Sequence, residues 1–144
     1  MSSIKGPLIK RLKTFTAIAA SAGGRVYSNT IPQGTTLPAV TVTLDTKDRN
    51  PHLGGYDDSL VMDDLYIRIY ATDTPTAESI GDATAATLEN IEGETIADAT
   101  DSVSRKVQSV LIRDESDLVD TTYDLSDKYV YIYEIETQIQ HSGS

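Results

Sequence analysis

Apolar and polar positions alternate most densely in the last third of the chain. In residues 129–139 (YVYIYEIETQI), Tyr129, Tyr131, Tyr133, Ile135, Thr137 and Ile139 share one face by the two-residue period of a strand. On the other face Val130 and Ile132 give way to Glu134, Glu136, Gln138 and Gln140. The pattern predicts a strand covered on both faces at its start and wet on one face at its end. A second strand is expected over residues 103–113 (VSRKVQSVLIR). There Val103, Val107 and Leu111 alternate with polar neighbours until Val110, Leu111 and Ile112 run together, as in a strand entering a two-sided core. The stretch between them, residues 114–127 (DESDLVDTTYDLSD), is too polar for a core element. Its Leu118, Val119, Tyr123 and Leu125 nevertheless supply anchors, which predicts an ordered surface loop.

The chain opens on a helical pattern. Ile4, Leu8, Leu12, Phe15 and Ala19 form one stripe, with Lys5, Lys10, Arg11 and Lys13 mostly off it. Pro7 is tolerated in a first turn, so the helix is expected to begin within residues 3–7 and to stop at Gly23 and Gly24. Residues 25–31 read as a short strand with Val26 inward, followed by a turn-rich loop between Pro32 and Pro38. Residues 39–46 alternate cleanly, Val40, Val42 and Leu44 against Thr41, Thr43 and Asp45. Residues 59–71 form the next strand, with Leu65, Ile67 and Ile69 inward and Tyr66, Arg68 and Tyr70 outward. Between these strands lie residues 46–58 (TKDRNPHLGGYDD), a charged stretch with Pro51 and a Gly54-Gly55 pair. Compact domains seldom keep so long a connection unused, so a protruding hairpin or partner-binding arm is expected there. Residues 72–74 then cap a helix over residues 75–91, with Pro75 at its first position and Ala77, Ile80, Thr84, Leu88 and Ile91 on one stripe. Residues 92–101 connect it to the last strand pair. The predicted class is α+β: a mainly antiparallel sheet of four to five strands with two helices packed on it, in the order α-β-β-β-α-β-β. Residues 1–144 form a single domain.

Composition narrows the chemistry. A chain of 144 residues can bury roughly two thirds of its unfolded surface, so a core is available without covalent staples. Cys is absent, which excludes disulfides, thiolate metal sites and cysteine nucleophiles. The basic N-terminus lacks an unbroken apolar stretch, so neither a signal peptide nor a membrane span is expected. The formal charge of −10 opposes nucleic-acid binding by phosphate neutralisation, which needs a basic stripe. The two His, His52 and His141, lie in the arm and near the end of the chain, in no rigid setting that would serve a triad. The paired carboxylates Asp57-Asp58 and Asp63-Asp64 point to opposite faces if on a strand, and read as solvated acidic segments. Residues 45–50 lack the central Gly and terminal Glu of a calcium loop, and no phosphate-cradling Gly motif occurs. No cofactor or metal set emerges, and an enzyme is the least favoured class.

Three phrases carry a family resemblance: LPAVTVTL at residues 37–44, DDLYIRIYATD at 63–73 leading into TAESIGDATAATLENI, and KVQSVLIRDESDLVD followed by KYVYIYEIETQI. In this order the chain resembles the tail terminator and tail-completion family of tailed bacteriophages, which includes minor-tail and neck proteins. The resemblance implies a virion protein, assembled in the host cytoplasm, that forms a homo-oligomeric ring, usually a hexamer, at the end of the tail tube. Its implied partners are further copies of itself, the tail tube protein and the head-tail connector, with DNA passing through the lumen without sequence-specific binding. A closing ring needs two different patches per subunit. Lys47, Asp48, Arg49, His52, Leu53 and Tyr56 of the arm and Asp117, Leu118 and Tyr123 of the acidic connector are the candidates for them. Asp57, Asp58, Asp114 and Glu115 are candidates for a lumen wall that repels DNA. Two other readings stand beside the terminator: a head-tail connector or adaptor of the same virion, and an acidic module that binds a ligand or a protein.

Overall fold

The computed structural model describes residues 4–14, 25–32, 36–52, 55–98, 103–125 and 128–141; within 46–60, 97–105 and 118–129 the description covers the backbone alone. Its elements are α1 (Lys5–Thr14), β1 (Val26–Ser28), β2 (Ala39–His52), β3 (Gly55–Ala71), α2 (Thr74–Asn90), β4 (Thr95–Asp98), β5 (Val103–Leu125) and β6 (Lys128–His141). The class is α+β, as the alternation predicted. The six strands form one sheet in the order β1-β2-β3-β6-β5-β4. Four of the five pairings are antiparallel, and β1 lies parallel to β2.

Period two decides the core. The central ladder pairs β3 with β6 from Val61↔His141 to Ala71↔Tyr131, so Leu65, Ile67 and Ile69 come to share a face with Thr137, Ile135 and Tyr133. Val40 and Val42 of β2 join them opposite Ile69 and Ile67. Both helices bury their stripes in the same cluster: Ile4, Leu8 and Leu12 with α1, and Ala77, Ile80, Leu88 and Ile91 with α2. Each fully buried Leu or Ile contributes roughly 1.5–3 kcal/mol, which makes this face the main source of stability.

α2 starts where expected. Asp73 is its N-cap, with Pro among the first helical positions, and the carboxylate accepts the Thr76 N–H at 2.8 Å. The Thr76 side chain, and next its N–H, hold the Asp73 carboxyl below its ordinary range by hydrogen bonding. The buried Thr84 and Thr87 donate back to Ile80 and Ala83, so the polar members of the buried face are satisfied within the helix. Gly81 lets α2 lie on the sheet: a Cβ there would collide with the Tyr133 ring.

Several expectations are corrected. The sheet has six strands rather than four or five, because β4 occupies part of the connector over residues 92–101. It is mainly antiparallel, with a single parallel pairing at the β1 edge. The acidic residues 114–125 are strand, not loop: β5 continues to Leu125, paired with β6 as far as Leu125↔Lys128. A polar segment extends a sheet when the neighbouring strand offers a ladder, and β6 does so through Leu118↔Ile132 and Asp120↔Val130. The arm over residues 46–58 is a hairpin, with β2 and β3 paired up to His52↔Gly55. Leu111 does not face the core. It is 56% exposed, because an irregularity between Val107 and Ser109 shifts the register and turns Val110 and Ile112 toward the core instead. The expected extension of α1 through Phe15 and Ala19 to Gly24 lies outside the described residues.

The largest correction concerns Asp63 and His141. Neither is solvated or loosely held; both are fully buried on the core face, Asp63 two residues before Leu65 and His141 two residues after Ile139. Asp63 Oδ2 accepts the Ile4 N–H at 2.8 Å and lies 2.9 Å from His141 Nε2. One carboxylate oxygen thus joins β3, the end of β6 and the residue just before α1. Its other oxygen, Oδ1, has no partner among the described residues.

Two substitutions test these contacts by urea denaturation. Gly81→Ala, which at an open helical site would stabilise by up to about 1 kcal/mol, should instead destabilise by roughly 1–3 kcal/mol as the Tyr133 ring is displaced; a raised midpoint would refute the contact. Asp63→Ala should cost roughly 3–5 kcal/mol, since it removes one partner of a buried pair and orphans the Ile4 N–H. Combined with His141→Ala, the loss should fall short of the sum of the two single changes. Additive losses would show that the pair is not coupled.

Candidate assembly surface

The face of the sheet opposite the helices is built by the other parity of the same strands. The ladders place Thr43, Tyr66, Glu136 and Asp114 in one row across β2, β3, β6 and β5. Thr41, Arg68, Glu134 and Ser116 form the next row, and Asp64, Gln138 and Leu111 lie in the row on the other side. Carboxylates therefore recur along this face. Asp114 stands directly opposite Glu136, a like-charge pair that a sheet tolerates only where water screens it.

Two cations punctuate the acidic field. Arg68 Nε donates to Glu134 Oε2 at 2.7 Å, and this hydrogen bond raises the guanidinium above its already high ordinary value. Arg68 also lies 5.9 Å from the centre of the Tyr66 ring. Arg113 reaches Asp64 at 3.4 Å. The net field stays negative around Tyr66, whose phenol is pushed above its ordinary value by the charge of Glu136 and then of Asp45. The face can carry a local negative potential and hydrogen-bond acceptors. Among the described residues no group of three or more His, Asp or Glu is placed to hold a metal ion.

The expected site residues fall into three groups. Asp114, Glu115 and Asp117 are exposed on β5. Asp114 belongs to the acidic face, whereas Glu115 pairs across to Ile135 and accepts the Tyr133 O–H at 3.0 Å. Lys47, Asp48, Arg49, His52, Tyr56, Asp57 and Asp58 lie on the β2–β3 hairpin, and Leu118 and Tyr123 on β5, all at positions where only the backbone is described. Leu53 lies outside the described residues. Reading acidic residues singly missed Asp64, Glu134 and Glu136 as members of the same field. The available signal was the parity of β3 and β6, which sets Asp64 with Tyr66 and Arg68, and Glu134 with Glu136.

Tyr133 ties the helix-covered face to β5. Burial, and next its hydrogen bond to Glu115, push its phenol up to about 12. The fold thus favours the neutral phenol. Its contribution to stability is complete below the ordinary value near 10 and is lost as pH rises through about 12. Tyr133→Phe should therefore show a smaller fall in urea midpoint across that alkaline range than the unaltered chain; equal falls would mean that the Tyr133 proton is not linked to folding.

Comparison with known proteins agrees with this architecture. The model of the family described as "Tail completion protein gp17" matches residues 6–125. None of the curated proteins compared matches the chain. Among solved structures, a chain of the "Virion of native gene transfer agent (GTA) particle" superposes with a TM-score of 0.62 at 14% identity, covering 94% of this chain and 92% of that one. At that identity the likeness is one of fold. The family match spans most of the sequence, and the chain belongs to the tail completion protein gp17 family.

Proposed function

We propose that this chain is a tail terminator: a subunit of a homo-oligomeric ring, a hexamer, that caps the tail tube, stops its polymerisation and joins it to the head connector. Its membership of the tail completion family makes it a structural component of a phage tail. The terminator reading rests on one geometric observation, the acidic face opposite the two described helices. A sheet face bearing Asp64, Asp114, Glu134 and Glu136, with Arg68 and Arg113 already engaged by carboxylates, suits a lumen wall. DNA phosphates moving past it would be repelled rather than trapped, whereas a basic wall would hold them by counterion release. The two helices face away, on the outer side of the ring.

Native mass spectrometry of the purified chain should give one dominant species at six times the chain mass of 15.6 kDa. That species should bind the ends of isolated tail tubes and lengthen none of them. A monomer at high protein concentration would overturn the ring. A ring that binds capsid portals and ignores tubes would replace the terminator by a connector.

A further inference from the structure

The sheet has two unfinished edges. On one side β1 pairs only with Val40, Thr41 and Val42, and the Asn29 N–H adds a bond to the Val42 carbonyl at 3.0 Å. Beyond that, the outer edge of β2 over residues 43–52 has no backbone partner among the described residues. On the other side β4 pairs with residues 103–106 of β5, and Gly93 and Glu94 close the ladder at Val107 with bonds of 2.9 and 2.8 Å. The Glu92 carboxylate then takes the Val110 N–H at 3.3 Å. From Leu111 to Leu125 the outer edge of β5 likewise has no backbone partner among the described residues. Long bare edges are templates for pairing with another chain, and proteins ordinarily cover or blunt them.

The topology states which partner fits. The strand order sets the two bare stretches on opposite sides of one sheet, so a copy can use its β5 edge on one neighbour and its β2 edge on the next. This is the heterologous arrangement that closes into a ring. Three successive antiparallel pairings, β2 with β3, β3 with β6 and β6 with β5, leave β5 running opposite to β2. A neighbour related by rotation about an axis to which the strands are tilted then presents β2 antiparallel to β5, the stronger kind of ladder. The short strands also dictate a stagger. Leu44, Leu65, Thr137 and Ile112 lie at one level; from it the bare part of β2 extends toward the β2–β3 hairpin, while the bare part of β5 extends the other way. Each copy must therefore shift along the strand direction relative to the last, as tilted strands do in a closed wall.

Charge selects the same pairing. The bare β5 stretch carries Asp114, Glu115, Asp117 and Asp120 against the single cation Arg113, an excess of negative charge that repels a second β5. The bare β2 stretch balances Lys47 and Arg49 against Asp45 and Asp48, so it is neutral in a chain of net charge −10 and opposes a β5 edge less than a second β5 would. We propose that residues 111–120 of β5 pair with residues 43–52 of β2 in the next copy, in a staggered antiparallel ladder that forms the subunit contact. The inference deepens the ring reading and rests on it.

The absence of native Cys gives a clean test. In the full chain, one Cys is placed on β2 (Arg49→Cys) together with one on β5, at Asp114, Ser116 or Asp117 in separate variants. Mild oxidation followed by a denaturing gel should give a ladder of covalent oligomers ending at the ring size for at least one register, and each single-Cys variant should stay monomeric on the same gel. Covalent dimers from a single β5 Cys would overturn the proposal in favour of like edges pairing. Rings seen by native mass spectrometry without crosslinks in any register would overturn it and leave the ring standing. Monomers alone, with no crosslinks, would overturn both.

Discussion

The structure depends on the ladder between β3 and β6. Its strict two-residue period settles two surfaces at once. One parity, with Leu65, Ile67 and Ile69 beside Ile135 and Ile139, makes the floor on which both helices rest. The other, with Asp64, Tyr66 and Arg68 beside Glu134, Glu136 and Gln138, makes the face opposite the two described helices. A one-residue slip would exchange the two, placing carboxylates under the helices and isoleucines in water. The core thus pins the acidic face indirectly: the carboxylates need no contacts of their own to be held in rows, because burial on the far side fixes their register.

The same parity carries the polar anchor. Asp63 continues the inward series of Leu65, Ile67 and Ile69, and His141 continues that of Ile135, Thr137 and Ile139. At that end of the sheet the residue pointing inward is a carboxylate, and a buried carboxylate must find donors. It finds them in the backbone of Ile4 and the ring of His141, both from distant parts of the chain. An apolar residue at position 63 would pack in the same place, yet would leave the first residue of the helical stripe with no acceptor for its N–H. The polar group therefore specifies where the N-terminal helix begins as well as where it docks.

What could be read from residues alone follows from which signals are local. The stripe of α2 and the alternation in β2 and β3 depend on near neighbours and were legible. So is the parity that sets Asp63 and Asp64 on opposite faces; reading both as solvated overlooks that one of those faces is the core. The strand character of residues 114–125 was not legible, since DESDLVDTTYDL has no apolar face and becomes strand only because β6 lies alongside. β4 is four residues long, too short for any period to register. Leu111 was lost to a register shift that no composition announces. In the site, the carboxylates of β5 could be named, whereas their alignment with those of β6 required the ladder.

An acidic chain that assembles with itself must reconcile two ranges of electrostatics. Net charge acts between whole copies and opposes approach, while paired charges act within a few ångströms. Screening at physiological salt falls off over about 8 Å, so repulsion between distant surfaces is damped far more than attraction between groups in contact. A backbone edge exploits that difference. Its hydrogen bonds are formed only at contact and are indifferent to net charge, and the β2 edge, where Lys47 and Arg49 balance Asp45 and Asp48, is neutral beside the acidic β5 edge. The remaining carboxylates then face water or lumen, where their mutual repulsion favours a wide, open wall over a collapsed one. In the proposed ring, the negative charge that makes association of identical copies costly would also keep the channel between them clear.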